Sequence, residues 1–190
     1  MIKAILLAAG KSKRIGSENK LVKKFRNKFL INHSLLALYK SKVDQIVIVL
    51  GYQHNKVKKA IKKNKKNIFV LNKKFTLGIS SSINTGLKKI TKKDEGFIVV
   101  QSDMPFIKTS DINKIYNSIS KKRHLVHALK FKNIIGNPIG FDSSVLVKFK
   151  RMKGDDGAKF MVKRLKNKTN FIKVNSSKVF KDFDLKKDFN

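Results

Sequence analysis

Short apolar runs along the chain alternate with segments in which apolar residues recur at helical spacing. Four runs have the length of β-strands, and they span Ile2 to Leu7, Gln45 to Leu50, Ile68 to Leu71 and Phe97 to Val100. The segments between and after them predict helices around Ser34 to Lys40, Asn55 to Lys63, Ser81 to Ile90 and Asp111 to Ile119. This alternation predicts an α/β fold of three layers, with a mostly parallel central sheet and helices on both faces. Because the first strands are continuous apolar runs, we expect both of their faces to be covered.

The pattern is less regular in the last third of the chain. It predicts strands at Leu125 to Phe131 and Asn137 to Phe141, helices at Val145 to Phe149 and Ala158 to Leu165, and short terminal strands at Phe171 to Val174 and Val179 to Phe183. The sequence contains no repeat, long linker or low-complexity block. We therefore expect one domain over residues 1–190.

Composition narrows the possible classes of protein. The absence of cysteine excludes disulfides, thiolate metal sites and cysteine nucleophiles. The N-terminal apolar run is too short to cross a membrane, so we expect a cytoplasmic protein with no membrane partner. The net charge of +33 suggests nucleic-acid binding, but the 45 cations are mostly lysines spread over the predicted helices, and no known nucleic-acid motif accompanies them. We therefore expect no specific nucleic-acid partner.

The first predicted strand ends in a turn of small residues that is suited to binding an anion. Ala8, Ala9 and Gly10 let a ligand approach the backbone, and cations follow at Lys11, Arg14 and Lys20. A Walker loop would need glycine at the position of Ile5, and a dinucleotide fingerprint would need glycine at the position of Ser12. The turn therefore predicts a nucleoside triphosphate site of another kind.

Three further segments carry candidate chemistry. Asp103 follows the strand Phe97 to Val100, where a carboxylate could hold Mg²⁺ against phosphate oxygens. The loop from Gly78 to Ser82 places hydroxyls at a helix start, where they could cap the helix or contact a ligand. A second glycine loop, Gly154 to Gly157, precedes another predicted helix, and the tail groups Asp182, Asp184 and Asp188 either as an ion-pair patch or as a source of a second metal ligand.

Taken together, these segments resemble the molybdenum cofactor cytidylyltransferase family of the MobA-like NTP transferase superfamily. The matching pieces cover most of the chain and are Leu7 to Gly16 with Lys20 and Leu21, Asn72, Phe75, Gly78 to Ile83 with Gly86 and Leu87, Asp103 to Pro105, Gly136 to Pro138, and Gly154 to Lys159. The resemblance implies a Rossmann-like nucleotidyltransferase fold, with a nucleotide-binding part at about 1–120 and an acceptor-side part at about 121–190. The chain departs from the family pattern at Ser102, commonly glycine, at Asn137, commonly histidine, and in the acidic tail.

The same resemblance implies a transferase that moves CMP from CTP to the terminal phosphate of molybdopterin and releases pyrophosphate. Ala9 favours CTP by analogy with the family, and Mg²⁺ is the implied cofactor. The implied catalytic residues are Arg14, Lys20 and Asp103, and the implied metal ligands are Asp103 and Asp184. The implied nucleotide-binding residues are Leu7, Ala8, Ala9, Gly10, Lys11, Ser12, Lys20, Gly78, Ser80, Ser81, Ser82 and Asp103, and the implied acceptor-binding residues are Asn137, Gly154, Asp155 and Gly157.

Two alternatives remain open at this point. The first keeps the reaction and replaces molybdopterin by a sugar phosphate or another small phosphate acceptor. The second is a nucleotide- or nucleic-acid-binding protein without catalysis, which the charge suggests. A molybdoenzyme or its maturation chaperone is a further partner that the resemblance implies.

Overall fold

A seven-stranded sheet forms the centre of the molecule. The computed structural model describes residues 1–12, 16 and 18–189. The strands of the sheet are β1 (Ile2–Ala8), β4 (Ile46–Leu50), β5 (Asn67–Leu71), β6 (Gly96–Gln101), β7 (Val126–Phe131), β8 (Ile134–Asp142) and β9 (Thr169–Lys173), and a separate hairpin contains β2 (Lys24–Phe25) and β3 (Lys28–Phe29). The sheet order is β5-β4-β1-β6-β8-β7-β9. β8 runs antiparallel to β6 and β7, and the other neighbouring pairs are parallel.

Helices cover both faces of the sheet, as the sequence predicts. The helices are α1 (Leu30–Tyr39), α2 (His54–Ala60), α3 (Ile79–Leu87), α4 (Thr109–Ser120), α5 (Leu146–Phe149) and α6 (Ala158–Arg164). Side chains of β1 alternate between the two layers. Ala4 and Leu6 pack in the core that contains α1, α2 and α4, while Ile5 and Leu7 pack in the core that contains α3, α5 and α6. The three-layer α/β architecture is therefore confirmed.

The expectation that the first strands are covered on both faces holds for the central strands alone. Every residue of β1 and β4 is buried. β5 lies at one edge of the sheet, and there Phe69 and Leu71 are 37% and 44% exposed. An apolar run indicates a strand, but its place in the sheet depends on pairing that the run itself does not encode.

The predicted terminal strand at Val179 to Phe183 is wrong. Residues Ser177–Phe180 form a 3₁₀ turn, and the chain continues without pairing to the sheet. Val179 and Phe183 are apolar because they are buried against the α1 and α4 core, not because they belong to a strand. The sequence pattern does not predict the hairpin of β2 and β3, since its two-residue strands are too short to show a period.

The strand order brings several chain reversals to one edge of the sheet. β1, β4 and β6 are parallel neighbours, so the segments after Ala8, Leu50 and Gln101 all leave at the same edge. Gly10, Gly51 and Asp103 lie in these segments, as expected for the ligand edge of an open α/β sheet. Within the described part of the chain, none of the helices has the length and apolar character needed to cross a membrane.

Candidate active site

A cleft of about 780 Å³ opens at the carboxyl edge of the sheet. Five segments that are distant in sequence contribute to its lining: the β1 turn with Lys20, the loop that leads into α3, the end of β6, the Gly154 loop and the C-terminal tail. The described lining residues are Leu7, Ala9, Gly10, Lys11, Ser12, Lys20, Leu21, Phe75, Thr76, Leu77, Gly78, Ile79, Ser82, Gln101, Ser102, Asp103, Gly154, Asp155 and Asp184. Its size is within the usual range for a small-molecule site.

A lysine between two carboxylates lies in the wall of the cleft. The Nζ atom of Lys20 is 2.5 Å from Oδ2 of Asp103 and 2.8 Å from Oδ1 of Asp184. The Lys20 and Asp103 side chains are only 14% and 17% exposed. Burial disfavours the charged amine, but the charges and hydrogen bonds of the two carboxylates outweigh burial and raise the pKa of Lys20 above its usual value. Lys20 is therefore a fixed positive charge in the cleft.

A third carboxylate adds negative charge to the same place. Asp182 is an exposed residue, but its carboxyl group is partly desolvated. This desolvation and the neighbouring charges of Asp103 and Asp184 raise the pKa of the carboxyl. Oδ1 of Asp103 is buried and accepts no hydrogen bond from the residues that the structure describes. The cluster thus combines crowded carboxylates with an unused buried oxygen, which is an environment that attracts a cation.

The backbone of Lys20 is positioned by the fully buried side chain of Asn19. Oδ1 of Asn19 accepts a hydrogen bond from the backbone N–H of Leu21 at 3.0 Å, and its Nδ2 donates to the carbonyl of Tyr52 at 3.1 Å. The hydroxyl of Ser12 accepts from the backbone N–H of Lys20 at 3.2 Å. Asn19 therefore ties the start of the 3₁₀ turn Lys20–Val22 to the segment that follows β4, while Ser12 ties it to the β1 turn.

Asp103 is held by the sheet on one side and by the tail on the other. The hydroxyl of Ser102 donates to the carbonyl of Leu7 at 2.6 Å, which joins the ends of β6 and β1. The carbonyl of Asp103 accepts from the backbone N–H of Phe183 at 3.0 Å. The ring of Phe183 packs edge-on against Phe25 and Phe106, and this contact anchors the tail segment that carries Asp184.

The two glycine loops singled out in the sequence touch each other. Gly78 has a φ of +92°, and a Cβ added there would lie 2.3 Å from the carbonyl oxygen of Gly154. The same carbonyl accepts a hydrogen bond from the backbone N–H of Ser80 at 3.1 Å. Glycine is therefore required at position 78 both by the conformation and by the close approach of the second loop.

The serines of the α3 loop have different surroundings. Ser81 accepts from Nδ2 of Asn72 at 2.9 Å, and its hydroxyl is also 2.9 Å from the carbonyl of Gly78, so its bonds are local to the start of the helix. Ser80 is buried and does not line the cleft, whereas Ser82 does. Asn72 also donates to Ser82 at 3.0 Å, which fixes the hydroxyl that faces the cleft.

The structure brings most of the predicted site residues together. Those in the described lining are Leu7, Ala9, Gly10, Lys11, Ser12, Lys20, Gly78, Ser82, Asp103, Gly154, Asp155 and Asp184. Those outside it are Ala8, Ser80, Ser81, Asn137 and Gly157. Asn137 is buried in β8, and its Oδ1 receives no hydrogen bond from the described residues. Arg14 lies outside the residues that the structure describes.

Several lining and supporting residues were missed by sequence reasoning. Thr76 and Leu77 line the cleft from the 3₁₀ turn Phe75–Leu77, and Gln101 lines it from the end of β6. Asn19 is buried beneath the site. Leu77 is 60% exposed, and exposure is not visible in the sequence. The position of Gln101 two residues before Asp103 was an available signal.

Comparison with solved structures shows which proteins share this fold. The fold closely resembles that of Rv0371c from Mycobacterium tuberculosis H37Rv, with a TM-score of 0.86 and 21% sequence identity over 99% of this chain and 95% of that one. A structure of Rv0371c in complex with manganese gives a TM-score of 0.81 at 19% identity, over 99% of this chain and 95% of that chain. The 4-diphosphocytidyl-2C-methyl-D-erythritol synthase of Anaerococcus prevotii DSM 20548 gives a TM-score of 0.77 at 16% identity, over 99% of this chain and 92% of that chain.

The curated relatives are larger proteins. Bifunctional protein GlmU of Clostridioides difficile (strain 630) is 29% identical over 140 residues, which are 73% of this chain and 29% of the relative. With this sheet, glycine turn and charged cleft, the chain has the architecture of the nucleotidyltransferase fold. Within that class it belongs to the family of the MobA-like NTP transferase domain, whose family model matches residues 4–169.

Proposed function

We propose that the protein transfers CMP from CTP to the terminal phosphate of molybdopterin and releases pyrophosphate. The observation that carries this proposal is the meeting of the Gly10 turn, Lys20 and Asp103 in one cleft. A triphosphate lying on the turn would have its charge next to Lys20 and within reach of the Asp103 carboxylate. The family to which the chain belongs supports nucleotidyl transfer as the reaction.

In the proposed reaction, an oxygen of the acceptor phosphate attacks the α-phosphorus of CTP in line with the leaving pyrophosphate. The new phosphorus–oxygen bond forms as the bond between the α-phosphorus and the bridging oxygen breaks, and the bond electrons leave on pyrophosphate. The acceptor phosphate is largely ionised near neutral pH, because its second pKa is about 6. The protein therefore needs to position the reactants and neutralise charge, and it needs no nucleophile of its own.

Each wall of the cleft has a proposed role. Gly10, Lys11 and Ser12 would hold the triphosphate, with Lys20 and Arg14 offsetting the charge that develops on it. Leu7, Ala9 and, from the α3 loop, Gly78 and Ser82 would seat the base and ribose, while Ala8, Ser80 and Ser81 would support this wall from outside the described lining. Gly154 and Asp155 would face the acceptor, with Gly157 supporting their loop. Ala9 favours CTP by analogy with the family.

The carboxylates are suited to a Mg²⁺ ion. Mg²⁺ is usually held by one or two carboxylates together with substrate phosphates. Asp103 offers a buried oxygen that accepts no hydrogen bond among the described residues, and Asp184 supplies a second carboxylate on the other side of Lys20. Within the described part of the chain, no group of three or more His, Cys, Asp or Glu side chains could hold a metal ion by itself, so substrate phosphates would have to complete the coordination. When bound, Mg²⁺ would neutralise phosphate charge, while Lys20 would contribute a second positive charge.

A second candidate keeps the reaction and changes the acceptor. Asn137 stands where the family commonly has histidine, and it is buried away from the described lining of the cleft. One structural neighbour is a synthase of a cytidyl compound of methyl-erythritol, as its name states. These observations favour a different small phosphate ester, such as a sugar phosphate, as the alternative acceptor.

The decisive experiment measures pyrophosphate release with each of the four nucleoside triphosphates, with and without molybdopterin, and with a panel of sugar phosphates. We expect release with CTP and molybdopterin, and its loss when a chelator removes Mg²⁺. Release with CTP and a sugar phosphate alone would favour the second candidate. Turnover that needs neither CTP nor a phosphorylated acceptor would overturn both.

Variants test the proposed roles of Lys20 and Asp103. Lys20→Ala and Asp103→Ala should each lower turnover by about 10²- to 10³-fold, the usual cost of removing a preorganised electrostatic group. Circular dichroism should show an intact fold. Lys59→Ala, which removes an exposed lysine of α2, is the matched control and should keep full activity. Near-native turnover of Asp103→Ala with Mg²⁺ would contradict the assignment.

A further inference from the structure

A second cavity of about 410 Å³ lies between α5 and α6, apart from the residues that line the catalytic cleft. Its polar lining is Ser144, Lys148, Arg151 and Arg164, and its apolar lining is Val147, Met161 and Leu165. None of the described lining residues is acidic. The cavity therefore combines a cationic rim with an apolar floor.

The arginines of this cavity are unusual for the chain. The protein has forty lysines and five arginines, and two of those five arginines meet here. None of the ion pairs found among the described residues involves Arg151, Arg164 or Lys148. Arg164 lies over the ring of Phe160, with its guanidinium carbon 5.5 Å from the ring centre. The guanidinium thus has an aromatic contact within its own helix, while its charge has no carboxylate partner in the described structure.

The apolar lining of this cavity includes one exposed residue and one buried residue. Val147 is 62% exposed, although it belongs to a short helix whose Phe149 is fully buried. Met161 forms the floor and is 1% exposed. A ligand that covered Val147 would remove exposed apolar surface from water while its anionic group met the cations.

We infer that this cavity binds a small organic phosphate, with its phosphate on Lys148, Arg151 and Arg164 and its apolar body on Val147, Met161 and Leu165. Arginine forms paired, charge-assisted hydrogen bonds to phosphate oxygens. A phosphate monoester carries a charge of about −1.5 to −2 at neutral pH, so it matches three cations better than a single carboxylate does. The Ser144 hydroxyl is a further donor to the same group.

The position of this cavity connects it to the catalytic cleft. α5 ends at Phe149 and α6 begins at Ala158, so the two helices flank the loop that carries Gly154 and Asp155. That loop accepts the hydrogen bond from Ser80 at the start of α3. A phosphate bound to both Arg151 and Arg164 would join the residue that precedes this loop to the C-terminal end of the helix that follows it.

The test uses phenyl phosphate as the probe and the methionine methyl groups as site-specific reporters in NMR spectra of the full chain. The chain has four methionines. Met161 lines the second cavity, and the buried Met104 directly follows Asp103 at the catalytic cleft. Binding at the two places is therefore observed separately. Inorganic phosphate, phenol and benzoate are titrated in parallel to separate the contributions of phosphate, ring and single negative charge.

We expect phenyl phosphate to shift the Met161 signal saturably, and more tightly than inorganic phosphate, phenol or benzoate. The double variant Arg151→Gln with Arg164→Gln should weaken this binding at least about 10-fold, because two charge-assisted hydrogen-bonding groups are lost. The double variant Lys159→Gln with Lys163→Gln removes the same charge from α6 outside the cavity and should bind as the wild type does.

Three results would overturn the inference. They are a Met161 shift that does not saturate, equal binding by the two double variants, and a response at Met104 without one at Met161. Equal binding would show that the general positive charge of the chain attracts the probe. Because the readout does not depend on nucleotidyl transfer, failure here is distinguishable from failure of the proposed reaction.

Discussion

At the scale of single residues, the site depends on a side chain that no substrate would touch. Asn19 is fully buried and satisfies the backbone N–H at the start of the 3₁₀ turn that carries Lys20. Lys20 in turn joins Asp103 to Asp184 across the cleft. The charge that faces the cleft is thus positioned by a neutral amide beneath it.

We predict that Asn19→Ala lowers both stability and turnover. Loss of the cap should cost about 1 kcal/mol of unfolding free energy, and displacement of Lys20 should lower pyrophosphate release about 10-fold. Asn19→Asp keeps the acceptor for the Leu21 N–H and should restore part of both. Urea unfolding and steady-state assays measure the two effects.

Asn55→Ala is the matched control, since Asn55 is exposed on α2. It should leave both quantities unchanged. If Asn19→Ala kept wild-type turnover in a folded protein, Lys20 would not depend on the amide, and the positioning role would be wrong.

At the scale of elements, the cleft is closed by a contact between two loops that enter different helices. The loop before α3 approaches the loop before α6 so closely that Gly78 has no room for a side chain. This contact connects the nucleotide side of the proposed site with its acceptor side.

We predict that Gly78→Ala destabilises the protein by about 1–3 kcal/mol, because alanine is strained at positive φ and its methyl group would meet the Gly154 carbonyl. Gly10→Ala is the control: open space surrounds Gly10, so its unfolding free energy should change by less than about 0.5 kcal/mol. Urea midpoints compare the two variants. An equal midpoint for Gly78→Ala and the wild type would show that the loops can separate without cost.

At the scale of the whole molecule, a buried histidine links stability to pH. Burial, and then the neighbouring charge of His124, lower the pKa of His127 from 6.5 to about 4. Its Nδ1 is 2.7 Å from the Ser118 hydroxyl, which also accepts from Asn170, so the histidine belongs to a polar contact among α4, β7 and β9. Protonation would place a charge in a site that has no acid partner within hydrogen-bonding distance among the described residues.

We predict that the unfolding free energy falls as pH drops from 6.5 to about 4. In the unfolded chain His127 binds a proton near pH 6.5, whereas in the folded chain it binds one only near pH 4. Protons therefore favour the unfolded state between these two pH values, so the unfolding free energy is highest above pH 6.5 and has fallen fully once the pH is below about 4. Across this pH range, the protonation of His127 lowers the unfolding free energy by about 3 kcal/mol.

Chemical unfolding at a series of pH values measures this effect. His127→Gln should show a shallower fall than the wild type, because the other acid-sensitive groups remain in both proteins. His124→Gln alters an exposed histidine and should keep most of the fall. Identical curves for His127→Gln and the wild type would contradict the prediction.

Much of this molecule follows from its sequence. The alternation of apolar runs and helical segments predicts the three layers, and seven of the eight predicted strands exist with shifts of a few residues at their ends. The Gly10 turn and Asp103 could be placed at one edge because parallel strands leave a sheet on the same side. The single domain, with its nucleotide-binding and acceptor-side parts, stays a prediction, and one continuous sheet contains strands from both parts.

Only the tertiary structure decided which distant residues complete the cleft. The resemblance implies Asp184, Gly78 and Gly154 as site residues, but the contact of Asp184 with Lys20, the burial of Asn19 and the approach of Gly154 to Gly78 span long stretches of chain, and no local period encodes them. The C-terminal tail is the clearest case in which the sequence pattern was insufficient. Its apolar residues predicted a strand, but in the structure they pack into the core and hold Asp184 beside Lys20. The spacing of apolar residues shows which side of a helix or strand is buried, because side chains repeat with the geometry of the backbone. Which other element covers that side depends on how all the helices and strands pack together.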